Sequence, residues 1–146
     1  MYVISRCLLG HNCKYNGGNN RNEAVIAFCR THRYLAICPE TAGKLPSPRP
    51  PAEKVGDRIV DKEGRDVTAF FEAGAALCMQ ACLDAAERED EPLEGAILKA
   101  NSPSCGFGKI YDGTFSGTLT DGNGVFADQI HRYGIDVITE KETIKW

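Results

Sequence analysis

The chain has 146 residues, of which 42% are hydrophobic, enough to bury the core of one domain, so we expect a single domain over residues 1–146. Acidic and basic residues are mixed along the sequence and give a net charge of −3. This leaves no basic stripe for a phosphate backbone, and we expect no nucleic acid partner. The N-terminus lacks a signal-peptide pattern and no apolar run is expected to reach membrane-spanning length, so we expect a cytoplasmic protein without membrane contact.

The first third of the chain predicts two strands joined by a helix. Residues 2–5 form a short apolar strand that runs into an Asn- and Gly-rich loop ending at Asn20. Asn20 and Glu23 have the spacing of a capping box, and a helix of about three turns should follow them. Residues 34–37 form the second strand, which should end at Pro39 because proline cannot donate to a sheet ladder.

The middle of the chain predicts a loop, a small hairpin and the longest helix. Residues 43–56 contain four prolines, a composition that excludes a regular helix or a central strand. Residues 58–60 and the turn at residues 62–64 suggest a small hairpin. Asp66 can then cap the long helix, whose predicted apolar face consists of Val67, Phe70, Phe71, Gly74, Ala75, Cys78, Ala81, Cys82 and Ala85.

The last third predicts two further strands around another helix. Residues 95–99 form the third strand, and residues 110–124 read as a loop with a short hairpin. A helix with Val125, Phe126, Ile130 and Tyr133 facing inward should end at Gly134, before a strand at residues 135–138. Strands that alternate with helices pair in parallel with right-handed crossovers, so the fold class is a compact three-layer, Rossmann-like α/β domain with a short, mainly parallel sheet.

Seven cysteines divide into two groups by their surroundings. An odd number without a secretory signal argues against a disulfide framework, which leaves reduced thiols or metal ligands. One group falls on apolar helix faces, where a small buried side chain is the expected role; it comprises Cys29, Cys78 and Cys82. The other lies beside turn residues and comprises Cys7, Cys13, Cys38 and Cys105.

Three of these turn cysteines, Cys7, Cys38 and Cys105, closely follow predicted strands. Ligands bind outside the carboxyl ends of parallel strands, so the fold should bring these thiols together, where they could hold zinc or an iron-sulfur centre. A small buried hydrophobic side chain is the alternative role for each. Glu40 and Ser102 would stand beside such a centre, where a carboxylate and a hydroxyl suit proton transfer and substrate orientation, with capping or surface roles as the alternative.

Two other features of the sequence border the predicted site. His11 and Cys13 could be ligands, although a histidine in an Asn- and Gly-rich loop is more often exposed. The proline-rich segment 45–51 follows Glu40 closely, so Arg49 should lie near an anionic or carbonyl group of a substrate. The alternative for Arg49 is a surface guanidinium paired with a carboxylate.

An ordered set of motifs over nearly the whole chain resembles the DUF523 family, which includes the thiouracil desulfidases. The motifs are Ser5-Arg6-Cys7-Leu8-Leu9-Gly10, Cys13-Lys14-Tyr15-Asn16-Gly17, Cys38-Pro39-Glu40, Leu45-Pro46-Ser47-Pro48-Arg49, Leu98 to Gly106 and Tyr111-Asp112-Gly113-Thr114-Phe115. No single motif would suffice. The first loop departs from the family pattern, because Lys14 and Asn16 stand where arginine and aspartate are expected.

The resemblance implies a desulfidase with a 4Fe-4S cluster held by three cysteines, Cys7, Cys38 and Cys105. One iron would stay open to bind the sulfur of a small thiolated substrate such as 2-thiouracil, as a Lewis acid without net redox change. Glu40 and Ser102 would assist hydrolytic removal of the sulfur. A four-thiolate cluster would have no open iron, so Cys13 is expected to stand aside.

Two other functions remain open from the sequence. The same cysteines could hold structural zinc or carry sulfide in a protein without catalytic activity, or they could serve as a thiol redox sensor. A homodimer is one option for the oligomeric state.

Overall fold

The computed structural model describes all 146 residues as a parallel sheet between helices, with two small hairpins. In chain order the elements are β1 (Tyr2–Ser5), α1 (Glu23–Cys29), β2 (Tyr34–Ile37), α2 (Pro39–Ala42), β3 (Ala52–Val55), β4 (Arg58–Asp61), α3 (Thr68–Arg88), β5 (Gly95–Leu98), β6 (Lys109–Tyr111), β7 (Leu119–Asp121), α4 (Val125–Arg132) and β8 (Val137–Thr139). The predicted α/β class with a mainly parallel sheet is confirmed.

The main sheet has the strand order β2-β1-β5-β8, and every pair is parallel. Ile4 of β1 pairs with Ala36 of β2 and with Ile97 of β5, and Ile97 also pairs with Ile138 of β8. The two central strands are therefore β1 and β5. The chain leaves β1 toward one edge of the sheet and leaves β5 toward the other. The carboxyl ends of β1 and β5 therefore flank the point where the strand order reverses, which is the usual ligand site of such sheets.

Apolar clusters on the two faces of the sheet make the three layers. One face packs against α3 and α4, through residues that include Val3, Cys82 and Phe126. The other packs against α1 and the C-terminal segment, through residues that include Phe28 and Trp146. Since β1 and β5 are buried along their whole length, their sequences are continuously apolar instead of alternating.

Helix α1 differs from the prediction at its start and in its length. Its cap is Asn22, whose side chain accepts a hydrogen bond from Val25 N over 3.1 Å. Asn20 does not cap the helix because its amide donates to the Cys7 sulfur over 3.3 Å. The helix consequently begins at Glu23 and has seven residues, about two turns.

The segment predicted as a loop over residues 43–56 contains a strand after its last proline. Strand β3 pairs with β4 in an antiparallel hairpin, in which Val55 lies opposite Arg58. Gly56, with φ of +66°, makes the tight turn between them. The predicted turn at residues 62–64 also forms, and after it the chain pairs back on β4 through an antiparallel bridge between Val60 and Asp66. Strand β3, on the other side of β4, was not predicted.

Helix α2 was absent from the prediction, which took Pro39 as a stop. Proline is acceptable at the first position of a helix, where its missing N–H has no partner in any case, and Pro39 occupies that position. Helix α2 lies directly on α3 at Gly74, where an added Cβ would collide with the carbonyl of Pro39. This close approach fixes α2, and with it the end of β2, against the core.

Helix α3 has 21 residues and begins at Thr68, whose N–H is bonded by the Asp66 side chain over 3.0 Å. By length and composition alone it could cross a membrane, contrary to the expectation that no such run exists. In the structure one of its sides is buried in the core, including Met79, which was not predicted. Of the residues predicted to face inward, Phe70 and Ala81 are exposed, as is Tyr133 beyond α4.

Candidate functional site

A cavity of about 410 Å³ lies at the carboxyl end of the main sheet. Its wall includes all four turn cysteines, namely Cys7, Cys13, Cys38 and Cys105, and none of the three helix cysteines. Glu40, Ser102 and Arg49 also line it. The structure thus brings together the residues that the sequence placed at the site, with the exception of His11.

The backbone holds each strand-end cysteine in a separate way. Cys7 lies in a 3-10 turn that directly follows β1, and Cys38 is the residue before the first turn of α2. Cys105 lies in a turn after β5, where its N–H donates to the Ser102 hydroxyl over 2.8 Å. That turn touches the start of α4 at Gly124, where an added Cβ would collide with Ser104 and Cys105 backbone atoms.

Polar side chains surround the sulfur atoms of the cavity. Asn20 donates to the Cys7 sulfur over 3.3 Å, and Thr41 Oγ1 lies 3.2 Å from the Cys38 sulfur. The Ser5 hydroxyl lies beside the Cys105 thiol. These groups can stabilise thiolate or metal-bound sulfur, because a hydrogen bond to the charged form favours that form.

Burial and hydrogen bonding affect the thiols of the cavity in opposite directions. Burial raises the pKa of Cys7 and of Cys105 above the ordinary value. Hydrogen bonds from the Cys13 side chain and then from Thr41 lower the pKa of Cys38. Without a positive partner the cavity favours neutral thiols at Cys7 and Cys105, and a bound cation would reverse this preference.

Cys13 is held in place more firmly than its flexible-looking loop suggested. It is 8% exposed, and its carbonyl oxygen accepts a hydrogen bond from Arg49 Nη2 over 2.9 Å. The hydrogen bond to Cys38 raises the pKa of Cys13, and burial adds to this effect. Cys13 is therefore a protonated thiol beside Cys38.

The four thiols are distributed round the wall of the cavity. No three of the His, Cys, Asp and Glu side chains are grouped tightly enough to hold a single metal ion, for which Zn–S bonds of about 2.3 Å would be required. The donor set is nevertheless entirely thiol, which is the ligand type of iron-sulfur clusters. These donors fit a group that is larger than one ion.

Glu40 is held from two sides inside the cavity. Arg49 Nε donates to one carboxylate oxygen over 3.1 Å, and Arg49 Nη2 forms an ion pair with the same oxygen over 3.1 Å. Ser104 donates to the other oxygen over 2.7 Å. The Arg49 and Glu40 side chains are 5% and 17% exposed. Arg49 is thus paired with a carboxylate, as one interpretation of the sequence held, but the pair is buried and not at the surface.

Several residues of the wall were missed from the sequence, because each is recognised only by its contacts. Ser104 and Asn20 bond Glu40 and Cys7, respectively. Lys99 pairs with Glu140 over 3.1 Å at the edge of the cavity. Glu53 accepts from the N–H groups of residues 113 and 115, and so anchors the loop between β6 and β7. The position of Ser104 next to Cys105 was the one available signal.

The two departures in the first loop have small structural consequences. Asn16 is exposed, and its side-chain oxygen accepts from Gly18 N over 2.9 Å, a bond that an aspartate could also make. Lys14 lines the cavity, as an arginine in its place could. His11 is exposed and lies outside the cavity.

The chain is similar to a known protein family, to a bacterial protein and to a solved enzyme structure. The model of the 2-thiouracil desulfurase family matches residues 2–142. The chain is 37% identical to an uncharacterised protein, YbbK, of Bacillus subtilis (strain 168), over 97% of each chain. Its structure is similar to that of a 4Fe-4S-dependent thiouracil desulfidase, TudS, with a TM-score of 0.85 and 41% identity, over 96% of this chain and 90% of the other.

Proposed function

Because the chain belongs to the 2-thiouracil desulfurase family, we propose that it is a 4Fe-4S-dependent desulfidase that removes sulfur from 2-thiouracil or a similar small thiolated compound. The observation that carries the proposal is the convergence of three strand-end thiols and a buried carboxylate on one cavity. The similar solved structure is a desulfidase that depends on the same cofactor.

Three cysteines would hold the cluster: Cys7, Cys38 and Cys105. Each follows a strand of the main sheet, so their backbone positions are fixed by the core and not by the cluster itself. Each sulfur also has a polar neighbour that can donate to it. When bound, a cluster with three protein ligands supplies an iron with an open position, which acts as a Lewis acid toward the substrate sulfur.

Glu40 and Ser102 would handle the proton that hydrolysis requires. Water adds to the thiocarbonyl carbon, the carboxylate of Glu40 takes up a proton, and the C–S electron pair leaves with the sulfur as sulfide. Ser102 has its oxygen fixed by the N–H of Cys105 over 2.8 Å, so its hydroxyl can orient the water. No electron is gained or lost in this reaction.

The surroundings of the cysteines support a cytoplasmic location. All seven cysteines are free, and four of them line an accessible cavity, where an oxidising compartment would cross-link or oxidise them. Reduced thiols are also the form that assembles an iron-sulfur cluster.

The test is anaerobic purification followed by iron, zinc and sulfide analysis, a visible spectrum and single-turnover release of sulfide from 2-thiouracil. We expect a brown protein with four irons per chain that releases sulfide, since a 4Fe-4S cluster has that composition. A colourless protein with one zinc would contradict the proposal and favour a structural metal. A brown protein that releases no sulfide would favour a carrier.

Glu40→Gln separates catalysis from cluster binding. The substitution keeps the shape of the side chain but removes its capacity to take up a proton, so turnover should fall by about 100-fold to 10,000-fold while iron content stays full. Unchanged turnover would remove Glu40 from the mechanism, and lost iron would make it part of the metal site. A thiol redox sensor would be unaffected by this change.

A further inference from the structure

Ser104 lies between the two residues to which the proposed function assigns the proton. Its side chain is buried, and the residue is 3% exposed. Its hydroxyl donates to Glu40 Oε2 over 2.7 Å and lies 3.3 Å from the hydroxyl of Ser102. Glu40 and Ser102 are therefore connected through Ser104.

The number of hydrogens fixes the direction of this chain of contacts. A serine hydroxyl has one hydrogen to donate, and Ser104 uses it on the carboxylate of Glu40. In the contact between the two hydroxyls Ser102 must then be the donor. The oxygen of Ser102 in turn accepts from the N–H of Cys105 over 2.8 Å. Every donor in the chain points toward Glu40.

Arg49 gives the two oxygens of Glu40 different roles. Its hydrogen bond from Nε and its ion-pair contact from Nη2 are both with Oε1. Nη1 and Nη2 donate to the carbonyl oxygens of Pro46 and Cys13 over 3.0 and 2.9 Å. The guanidinium thus balances the charge of the carboxylate on one side. Oε2 is left to Ser104.

We propose that Ser104 is a positioning residue that relays a proton from Ser102 to Glu40 during desulfuration, an inference that rests on the proposed function. As water bonds to the thiocarbonyl carbon, its proton passes to Ser102, the proton of Ser102 passes to Ser104, and that of Ser104 passes to Glu40 Oε2. Both serines end unchanged and Glu40 is neutral. When the C–S bond breaks, its electron pair leaves with the sulfur and Glu40 returns the relayed proton to that sulfur. The hydroxyl on the carbon gives up its own proton to the same sulfur as the carbonyl forms, so hydrogen sulfide departs and the carboxylate is restored without oxidant or reductant.

A double-mutant cycle on the cluster-loaded enzyme tests the relay. Ser104→Ala and Ser102→Ala break the chain at different links, and only the first removes the anchor of Glu40. We expect each to lower single-turnover sulfide release by about 100-fold or more with full iron. When these substitutions are combined with each other or with Glu40→Gln, the rate of sulfide release should fall little further. The first substitution already interrupts the hydrogen-bonded series through which the proton moves.

The solvent isotope effect gives a second kinetic measurement. In mixtures of light and heavy water the wild-type rate should depend nonlinearly on the deuterium fraction, since several protons move in the same step. In Ser104→Ala the dependence should become linear. Ser116→Ala is the matched control, because the Ser116 hydroxyl also lies between two hydroxyls, at 2.6 and 2.8 Å, on an exposed loop. Its rate should stay within about two-fold of wild type, as expected for a surface substitution.

Infrared spectroscopy adds a measurement that does not depend on turnover. The carboxylate band of Glu40, identified by its loss in Glu40→Gln, should shift in Ser104→Ala. An unshifted band would overturn the relay alone. So would rate losses that multiply when two substitutions are combined, in a protein whose wild type releases sulfide. Wild-type protein that holds the cluster but releases no sulfide would overturn the proposed function, and the relay with it.

Discussion

The cysteines at the carboxyl edge of the sheet and those in the helices differ in their neighbours much more than in their burial. Cys105 at the edge and Cys82 in α3 are 4% and 0% exposed, and burial raises the pKa of both. Both residues belong to the apolar cluster that contains Phe126 and Ile130, but Cys105 also has a hydroxyl beside its sulfur and lines the cavity. Burial by itself therefore does not distinguish a ligand from a core residue.

The two regions are also stabilised differently. The core around α3 is held by apolar contacts among buried side chains. The carboxyl edge of the sheet consists of loops that are joined by polar contacts. Arg49 makes the most of these contacts, because it donates to Glu40 and to the carbonyl oxygens of Cys13 and Pro46. Substitutions at the edge should consequently affect cofactor and catalysis, and substitutions in the core should affect stability.

The largest effect is expected at the proposed ligands. Cys7→Ser, Cys38→Ser and Cys105→Ser should each lose the cluster, because a serine oxygen is a poor replacement for a thiolate on iron. Iron and sulfide content after anaerobic reconstitution measures this. Full iron in any of the three would show that the edge was assigned wrongly.

Arg49→Ala should be the most destabilising change to the polar contacts of the edge. Removing one partner of a buried ion pair leaves the other charge unpaired and costs about 3–5 kcal/mol. Urea denaturation measures the free energy of unfolding. The matched control is Arg132→Ala, since its pair with Asp128 is at the surface, with side chains 77% and 37% exposed, and should cost less than about 1 kcal/mol. Equal costs for the two variants would contradict the comparison.

Cys78→Ser and Cys82→Ser should destabilise the protein while leaving the iron in place. Each puts a hydroxyl into the apolar cluster, at a cost of about 1–3 kcal/mol if the hydroxyl finds no partner. Cys29→Ser should cost less, because Cys29 is only half-buried. Thermal melting together with iron analysis checks this. Iron loss in any of the three variants would show that a helix cysteine contributes to cluster binding, contrary to the comparison.

The smallest effect is expected for Cys13→Ala. Three thiolates suffice for a cluster with one open iron, so this variant should keep nearly full iron and measurable desulfuration even though Cys13 lines the cavity beside Cys38. Iron content and sulfide release are the two measurements. A large loss of iron would show four-cysteine ligation and favour an electron-transfer or structural role.

Prediction from sequence succeeded where one segment determines its own structure. The apolar run at residues 34–37 is strand β2, and the long periodic segment is α3. It failed where another segment competes for the same group. Asn20 has the spacing of a helix cap, but its amide bonds the sulfur of Cys7 instead, and Pro39 begins a helix because α3 offers Gly74 as a surface on which that helix can lie.

The sequence by itself determined which residues could reach the site, because the ends of parallel strands must meet at one edge of the sheet. The tertiary structure decided how those residues contact one another. Ser104 lies 64 positions from Glu40 along the chain, and Arg49 lies 36 from Cys13, so neither contact has a local pattern. Such contacts depend on crossover connections and helix packing that bring distant loops within hydrogen-bond distance, and only the folded chain fixes those distances.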